Sequence, residues 1–227
     1  MDVGSAFRLI MSSLGSIISF YLGYYILQKG KANWIRRAFA VYCICGGFFV
    51  LTRVLRGIIT LEQYETFGTF LVYVFGMGGA PVGIALFSRL LTHGEESTFT
   101  AKVFPILVLP PLITALIGVL LDPSKVTTVS IGHVQVFDPS FRLLYILTTF
   151  GWIIYAAVNM AIGVKRISQA TTRAKMEGIR NGLFGIAVTS FFAYGIATNM
   201  GWYNVMAIGD LLIVIFQAYI AFIYMKE

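Results

Sequence analysis

Charged residues are scarce in this 227-residue chain. They make up 12% of it, against about a quarter in soluble domains, while 58% of the residues are hydrophobic. This composition excludes a water-soluble fold. No stretch outside the apolar segments is long enough to bury a core of its own. We therefore predict a single integral membrane domain over residues 1–227, embedded in a lipid bilayer.

Cysteine and histidine are also few, with two of each. Cys43 and Cys45 are two positions apart, so on a helix their side chains point in opposite directions and cannot form a disulfide with each other. His93 and His133 fall in predicted connections on opposite sides of the membrane, which excludes a histidine-ligated haem or metal within the bundle. The sequence has no nucleotide-binding or hydrolase motif. We expect no cofactor, no metal and no enzymatic activity.

Long apolar segments are abundant, and a helix needs about 20 mostly apolar residues to cross a bilayer. Seven such segments, separated by charged or turn-forming residues, lie at approximately Ala6 to Leu27, Ala38 to Ile59, Phe67 to Leu91, Val103 to Leu121, Leu143 to Val164, Gly182 to Thr198 and Tyr203 to Met225. They predict an all-α bundle of seven transmembrane helices. The fourth segment is short and contains Pro105, Pro110 and Pro111, so six spans or a re-entrant segment remain alternatives.

The positions of lysine and arginine predict the orientation of the bundle. With the N-terminus outside, 12 of the 17 basic residues are cytoplasmic: Lys29, Lys31, Arg36, Arg37, Arg89, Lys102, Lys165, Arg166, Arg173, Lys175, Arg180 and Lys226. This bias places the C-terminus in the cytoplasm and is typical of a plasma-membrane protein. The net charge of +7 then indicates contact with anionic lipid at the cytoplasmic face, and no nucleic-acid partner is implied.

The connection between the fourth and fifth helices has a different composition. From Val126 to Phe137 it is rich in β-branched residues that partly alternate with polar ones, with Gly132 and His133 near the centre. Asp-Pro pairs at Asp122 and Asp138 bracket it as turn initiators. This pattern predicts a small extracellular β-hairpin. The hairpin is either a rigid loop or a lid over an outward-facing pocket.

Ionisable residues inside the membrane are costly and therefore indicate function. Asp210 lies about 10 Å from the outer end of the last helix at 1.5 Å per residue, and Arg53 in the second helix lies at a comparable depth. Arg56 is three residues beyond Arg53 and shares its face. We predict an ion pair of Arg53 with Asp210, which either fixes helix packing or belongs to a binding or gating site.

Uncharged polar side chains lie deeper in the predicted bundle. Gln217 follows Asp210 by seven residues on the same helical face, and Asn159 in the fifth helix lies at a similar depth. Thr189 and Ser190 add hydroxyls to the sixth helix. These residues either line a polar path together with the charged pair or form hydrogen bonds between helices, the commoner use of such residues.

Small residues concentrate in the third helix. Its segment from Gly76 to Gly83 contains four glycines, one alanine and one proline. Small residues allow helices to approach closely, and glycine with proline also allows a bend. The segment predicts either a close helix contact or a hinge.

The outline of seven helices, an outside N-terminus and an aspartate in the last helix resembles the microbial rhodopsins. That resemblance implies a lysine in the last helix for the retinal Schiff base, typically four residues after the aspartate. Here that residue is Val214, and Lys226 at the very end is the sole lysine in or near this helix. The resemblance therefore does not extend to retinal binding.

The sequence as a whole predicts a non-enzymatic membrane protein that binds or conducts a small solute or ion. Its polar site lies near the outer face and comprises Arg53, Arg56 and Asp210, with Gln217 and Asn159 further in. The alternative is a receptor-like or structural subunit of a larger complex. Because the connections are short, signalling in that case requires a partner membrane subunit or a separate transducer.

Overall fold

The computed structural model describes residues 3–29, 33–129, 132–197 and 200–225. These ranges form helices α1 (Val3–Gln28), α2 (Trp34–Leu55), α3 (Leu61–Thr98), α4 (Val103–Leu121), α5 (Pro139–Val164), α6 (Ala170–Ser190) and α7 (Tyr203–Met225), and strands β1 (Ser124–Val129) and β2 (Gly132–Phe137). A π-helix, Phe191–Ala197, continues α6. Thr198, Lys31 and Lys226, which the sequence prediction used, lie outside the described residues.

Six of these helices are long and apolar enough to cross a membrane: α1, α2, α3, α4, α5 and α7. The prolines of α4 do not interrupt it, and its mean hydropathy of 2.4 is the highest of the six. Helix α6 is not among them, because its first half is rich in charged residues such as Arg173 and Glu177. The chain is therefore a polytopic membrane protein by the length and composition of its helices.

Several helices extend beyond their apolar segments. Helix α3 begins at Leu61 because Thr60 and Gln63 form a capping box, six residues before the predicted start at Phe67. Helix α5 begins at Pro139, where proline is favoured in the first turn. Helix α6 begins at Ala170, before the predicted start at Gly182, so the chain that carries Arg173, Lys175 and Arg180 is helical. Hydropathy detects the apolar part of a helix and misses its polar turns.

The helices pack into a ring in the order α1, α2, α3, α5, α6, α7 and back to α1, and α4 lies outside against α3. The main core fills the ring with fully buried side chains, among them Phe39, Phe87, Met160, Leu183 and Ile220. By contrast, the outer surface exposes many large apolar side chains, including Ile17, Ile106, Leu120 and Leu121, which are 63–73% exposed. An apolar surface of this extent suits lipid rather than water.

The two strands form an antiparallel hairpin whose register runs from Ser124↔Phe137 to Val129↔Gly132. Its base is attached to α3, since the Tyr73 hydroxyl lies 2.9 Å from both Asp122 Oδ1 and Ser124 Oγ. The His133 amide donates to the Arg56 carbonyl at 3.1 Å, which attaches the hairpin to the end of α2. We call this part of the molecule the hairpin end of the bundle.

Candidate functional site

A pocket of about 400 Å³ lies at the hairpin end, within the size range of small-molecule sites. The bundle contributes Phe49, Thr52, Arg53, Arg56, Tyr64, Val72, Arg142, Tyr145, Ile146, Phe150, Tyr194, Gly195 and Met206 to its lining. The hairpin contributes Thr127, Gln135, Val136 and Phe137. We refer to this space as the hairpin pocket. Side chains from five helices and both strands thus meet around one space.

Arg53 and Asp210 form an ion pair between α2 and α7. Arg53 Nε lies 3.2 Å from Asp210 Oδ1, and the two side chains are 9% and 0% exposed. The Tyr194 hydroxyl donates to the same carboxylate oxygen at 2.5 Å, and the Ser12 hydroxyl donates to Oδ2 at 3.1 Å. Asp210 therefore has partners on α1, α2 and the π-helical end of α6, and it does not line the pocket.

Two aromatic rings hold the Arg53 guanidinium from the side. Its Cζ lies 4.6 Å from the centre of the Tyr194 ring and 5.2 Å from that of Phe49, within the range of cation–π contacts. The two rings also meet edge to face, with centroids 5.6 Å apart. Arg53 is thus fixed by the carboxylate and by both aromatic side chains.

Arg56 and Arg142 also line the pocket, but neither pairs with an acid. Within the described ranges no carboxylate lies within 4 Å of either guanidinium. Arg56 Nε is buried without a hydrogen-bond partner there, and Arg142 Nη2 donates to the Phe137 carbonyl at 3.3 Å. The pocket therefore carries more positive than negative charge.

Much of the aromatic lining comes from π-helical turns. Tyr64 belongs to the π-helix Tyr64–Gly68 in α3, Phe150 to Ile146–Phe150 in α5, and Tyr194 to the end of α6. A π-helical turn changes the direction of the side chains around it and occurs frequently at functional sites. Three helices change their winding at the level of the pocket.

A smaller cavity of about 50 Å³ adjoins the hairpin pocket. The two spaces share four aromatic lining residues, Phe49, Tyr145, Phe150 and Tyr194. Gln217 lines this inner cavity, where its Oε1 accepts a hydrogen bond from Ser19 at 2.7 Å. Ser190 lines it as well. Gln217 therefore lies one layer deeper than the charged residues.

Asn159 lies in neither space. Its amide donates to Ser88 Oγ at 2.9 Å and to Thr92 Oγ1 at 2.8 Å, which joins α5 to α3. Of the five residues expected at the site, Arg53, Arg56 and Asp210 lie together, Gln217 is in the adjoining cavity, and Asn159 forms an interhelical hydrogen bond elsewhere.

His133 does not line the hairpin pocket. Its Nε2 lies 3.1 Å from the Ile59 carbonyl, which can only accept, and its Nδ1 lies 3.1 Å from the Thr128 hydroxyl. The ring thus holds the hairpin against the connection between α2 and α3. The hairpin does border the pocket, but through Gln135, Val136 and Phe137.

Sequence reasoning missed Arg142 and Tyr194. Arg142 is one of the five basic residues that the predicted orientation places outside, and its position just after Asp138-Pro139, at a helix start, was the available signal. Tyr194 had no such signal, because a single tyrosine in an apolar helix is common. Comparison of the sequence with known protein families and with curated proteins finds no match. The function is therefore inferred from the geometry of the site.

Proposed function

We propose that the chain crosses the membrane seven times, with the hairpin end outside and the C-terminus in the cytoplasm, and that it binds a small solute in the hairpin pocket without enzymatic chemistry. The observation that supports this proposal is the pocket itself, where Arg53 and Arg56 meet aromatic side chains beneath a docked hairpin. A charged side chain inside a membrane is costly, and such residues commonly mark binding or conduction sites. The plasma membrane is the proposed location.

The adjoining inner cavity supports conduction as an extension of binding. A solute that moved inward from the hairpin pocket would pass the four aromatic side chains that both spaces share. Tyr194 is one of these and also donates to Asp210. In this proposal the charged pair fixes the position of an aromatic side chain between the two spaces.

Cysteine protection tests the proposed binding site. A cysteine at Val136, a hairpin residue that lines the pocket and is 43% exposed, is introduced in a Cys43→Ala, Cys45→Ala background. Ser140→Cys is the matched control, since this residue is exposed on α5 and lies outside the pocket lining. A bound solute should slow thiol labelling at position 136 and leave position 140 unaffected.

A library of small anionic, neutral and cationic solutes supplies the candidate ligands, and proteoliposome uptake of those that protect tests conduction. If no solute protects position 136, the pocket is not a solute site. The alternative, a receptor-like or structural subunit, then gains support if a stoichiometric membrane partner copurifies in mild detergent.

A further inference from the structure

We infer that the hairpin pocket binds the oxyanion group, carboxylate or phosphate, of a small ligand with an apolar body. This inference rests on the proposed function and adds the chemical class of the ligand. The oxyanion would lie between Arg56 and Arg142, and the apolar body would contact the aromatic wall.

The charge of the residues that line the pocket favours an anionic ligand. Three arginines line the pocket, and no aspartate or glutamate does so among the described residues. Asp210, which lies outside the lining, neutralises the charge of Arg53 through the 3.2 Å contact of its Oδ1 with Arg53 Nε. Arg56 and Arg142 have no such partner within 4 Å among the described residues. An anionic ligand would supply the missing charge.

The same arrangement disfavours a cationic ligand. Asp210 is fully buried, is already paired with Arg53 and accepts hydrogen bonds from Tyr194 and Ser12. A cation entering the pocket would therefore meet two guanidinium groups that have no carboxylate partner among the described residues. Such like-charge contacts are unfavourable, more so at the half-buried Arg56 than at the exposed Arg142.

The guanidinium groups in the lining favour an oxyanion over a halide ion as the ligand. A guanidinium group presents its N–H donors as a planar fork, which matches the two oxygens of a carboxylate or phosphate. The three charged lining residues are all arginine, whereas Lys125 on β1 lies outside the lining.

The apolar residues of the lining indicate that the body of the ligand, apart from its oxyanion group, is apolar. Val72, Phe137, Ile146 and Phe150 give the pocket an apolar wall. Such a wall contributes affinity by removing apolar ligand surface from water. An organic anion with a ring or short chain thus fits the lining better than an inorganic ion.

Thermal stability of the purified protein in uncharged detergent tests this inference with probes of one shape and different charge. Benzoate should raise the melting temperature in a concentration-dependent manner, and benzyl alcohol and benzylamine should not. Arg56→Gln and Arg142→Gln should each weaken the apparent benzoate affinity at least about tenfold. Arg142→Lys, which keeps the charge without the fork, should bind with intermediate affinity.

Lys125→Gln is the matched control, because it removes one positive charge from the hairpin end of the bundle at a residue outside the pocket lining. Its benzoate affinity should stay within about twofold of the native value. Inorganic phosphate and phosphatidylglycerol, with phosphatidylcholine as reference, distinguish the sources of the oxyanion. Arginine-dependent stabilisation by phosphatidylglycerol alone would identify a lipid headgroup and still support the oxyanion site.

Two results would overturn the inference. If benzyl alcohol or benzylamine binds and the arginine variants bind it equally well, the pocket takes a solute of another class and the proposed function survives. If benzoate, phosphate and phosphatidylglycerol all fail to stabilise the native protein, the oxyanion site is wrong. The proposed function fails separately if no solute of any charge protects Val136→Cys.

Discussion

At the scale of single residues, the buried carboxylate of Asp210 requires a charged partner and hydrogen-bond donors to be stable inside the bundle. It is fully buried, it forms an ion pair with Arg53, and it accepts hydrogen bonds from Tyr194 and Ser12. Burying a charge is tolerated only when it is paired and hydrogen-bonded. Removing either charged partner leaves the other buried in a setting with little solvent, which costs far more than the pair itself contributes.

Replacement of Asp210 by alanine should therefore lower the free energy of unfolding by about 3–5 kcal/mol. Arg53→Ala should cost less, because the Tyr194 and Ser12 hydroxyls remain to stabilise the carboxylate. Chemical denaturation in detergent measures both, and the double variant should show strong non-additivity. Exchanging the two residues should recover only part of the loss, since Tyr194 and Ser12 would then face an arginine.

The exposed pair of Arg173 and Glu177 provides the control for this prediction. Its Nε to Oε1 distance of 3.1 Å is similar, but the side chains are 55% and 37% exposed. Glu177→Ala should cost only about 0.3–0.5 kcal/mol. Equal effects of Asp210→Ala and Glu177→Ala, or additive effects of Asp210→Ala and Arg53→Ala, would contradict a strongly coupled buried pair.

At the scale of helices, the contact of α2 with α3 depends on the glycine-rich segment of α3. A Cβ atom at Gly83 would lie 2.6 Å from the Tyr42 backbone nitrogen and 3.0 Å from the Ala38 carbonyl oxygen. Backbone atoms inside a helix cannot move aside as a flexible side chain can. Of the two interpretations of this segment, the geometry at Gly83 corresponds to a close helix contact.

Gly83→Ala should destabilise the bundle by about 1–3 kcal/mol, because the added methyl group overpacks this contact. Gly151→Ala in α5 is the control, since a Cβ there meets nothing within 4 Å. That change should be neutral or stabilising by up to about 1 kcal/mol, the difference in helix propensity. Thermal unfolding in detergent measures both variants, and equal melting temperatures would exclude the close contact.

The hairpin is an element whose position depends on His133. The ring joins the Ile59 carbonyl to the Thr128 hydroxyl, and it lies beside the Tyr64 ring at 5.8 Å between centroids. Loss of this ring should release the hairpin from the connection of α2 with α3 without disturbing the helix core.

His133→Ala should therefore speed thiol labelling at Val136→Cys several-fold, as expected when hydrogen bonds worth about 1 kcal/mol each are lost. Thr128→Ala is the graded control, because it removes one contact of the ring and leaves the bond to Ile59. Its effect should be smaller. Unchanged labelling in both variants would mean that strand pairing, the Tyr73 attachment and the backbone hydrogen bond from residue 133 to the Arg56 carbonyl suffice to hold the hairpin.

At the scale of the whole molecule, helix α6 decides how many times the chain crosses the membrane. It packs in the ring between α5 and α7, like its neighbours, yet its composition does not qualify it as a span. Its charged first half and apolar second half are compatible with a helix that emerges from the bilayer at one end. With seven crossings, the two termini lie on opposite sides.

Single cysteines at Ser140, Ser168 and Met200 test this topology in the Cys43→Ala, Cys45→Ala background, because all three residues are exposed in the structure. We expect labelling from outside at positions 140 and 200 and from the cytoplasm at position 168. Labelling of positions 168 and 200 from the same side would mean that α6 does not cross. The full reverse pattern would overturn the proposed orientation.

The sequence by itself determined the membrane class, the hairpin and the pairing of Arg53 with Asp210. Each of these follows from local information: apolar length sets the helices, β-branched alternation sets the strands, and an intramembrane acid requires a cation at its own depth. Helix starts at Leu61 and Ala170 were missed, because the turns outside the apolar segments carry no hydropathy signal.

Only the tertiary structure decided which side chains share a space. Sequence spacing fixes how far along a helix a residue lies, but not how that helix is rotated or which helix lies beside it. Depth along the helix therefore groups Gln217 and Asn159 with the charged residues, although Gln217 lies in an adjoining cavity and Asn159 in a separate contact of α5 with α3. Arg142 lies before the π-helix Ile146–Phe150 and Tyr194 lies within the π-helix Phe191–Ala197, and their meeting in the lining of the hairpin pocket cannot be derived from residues taken one segment at a time.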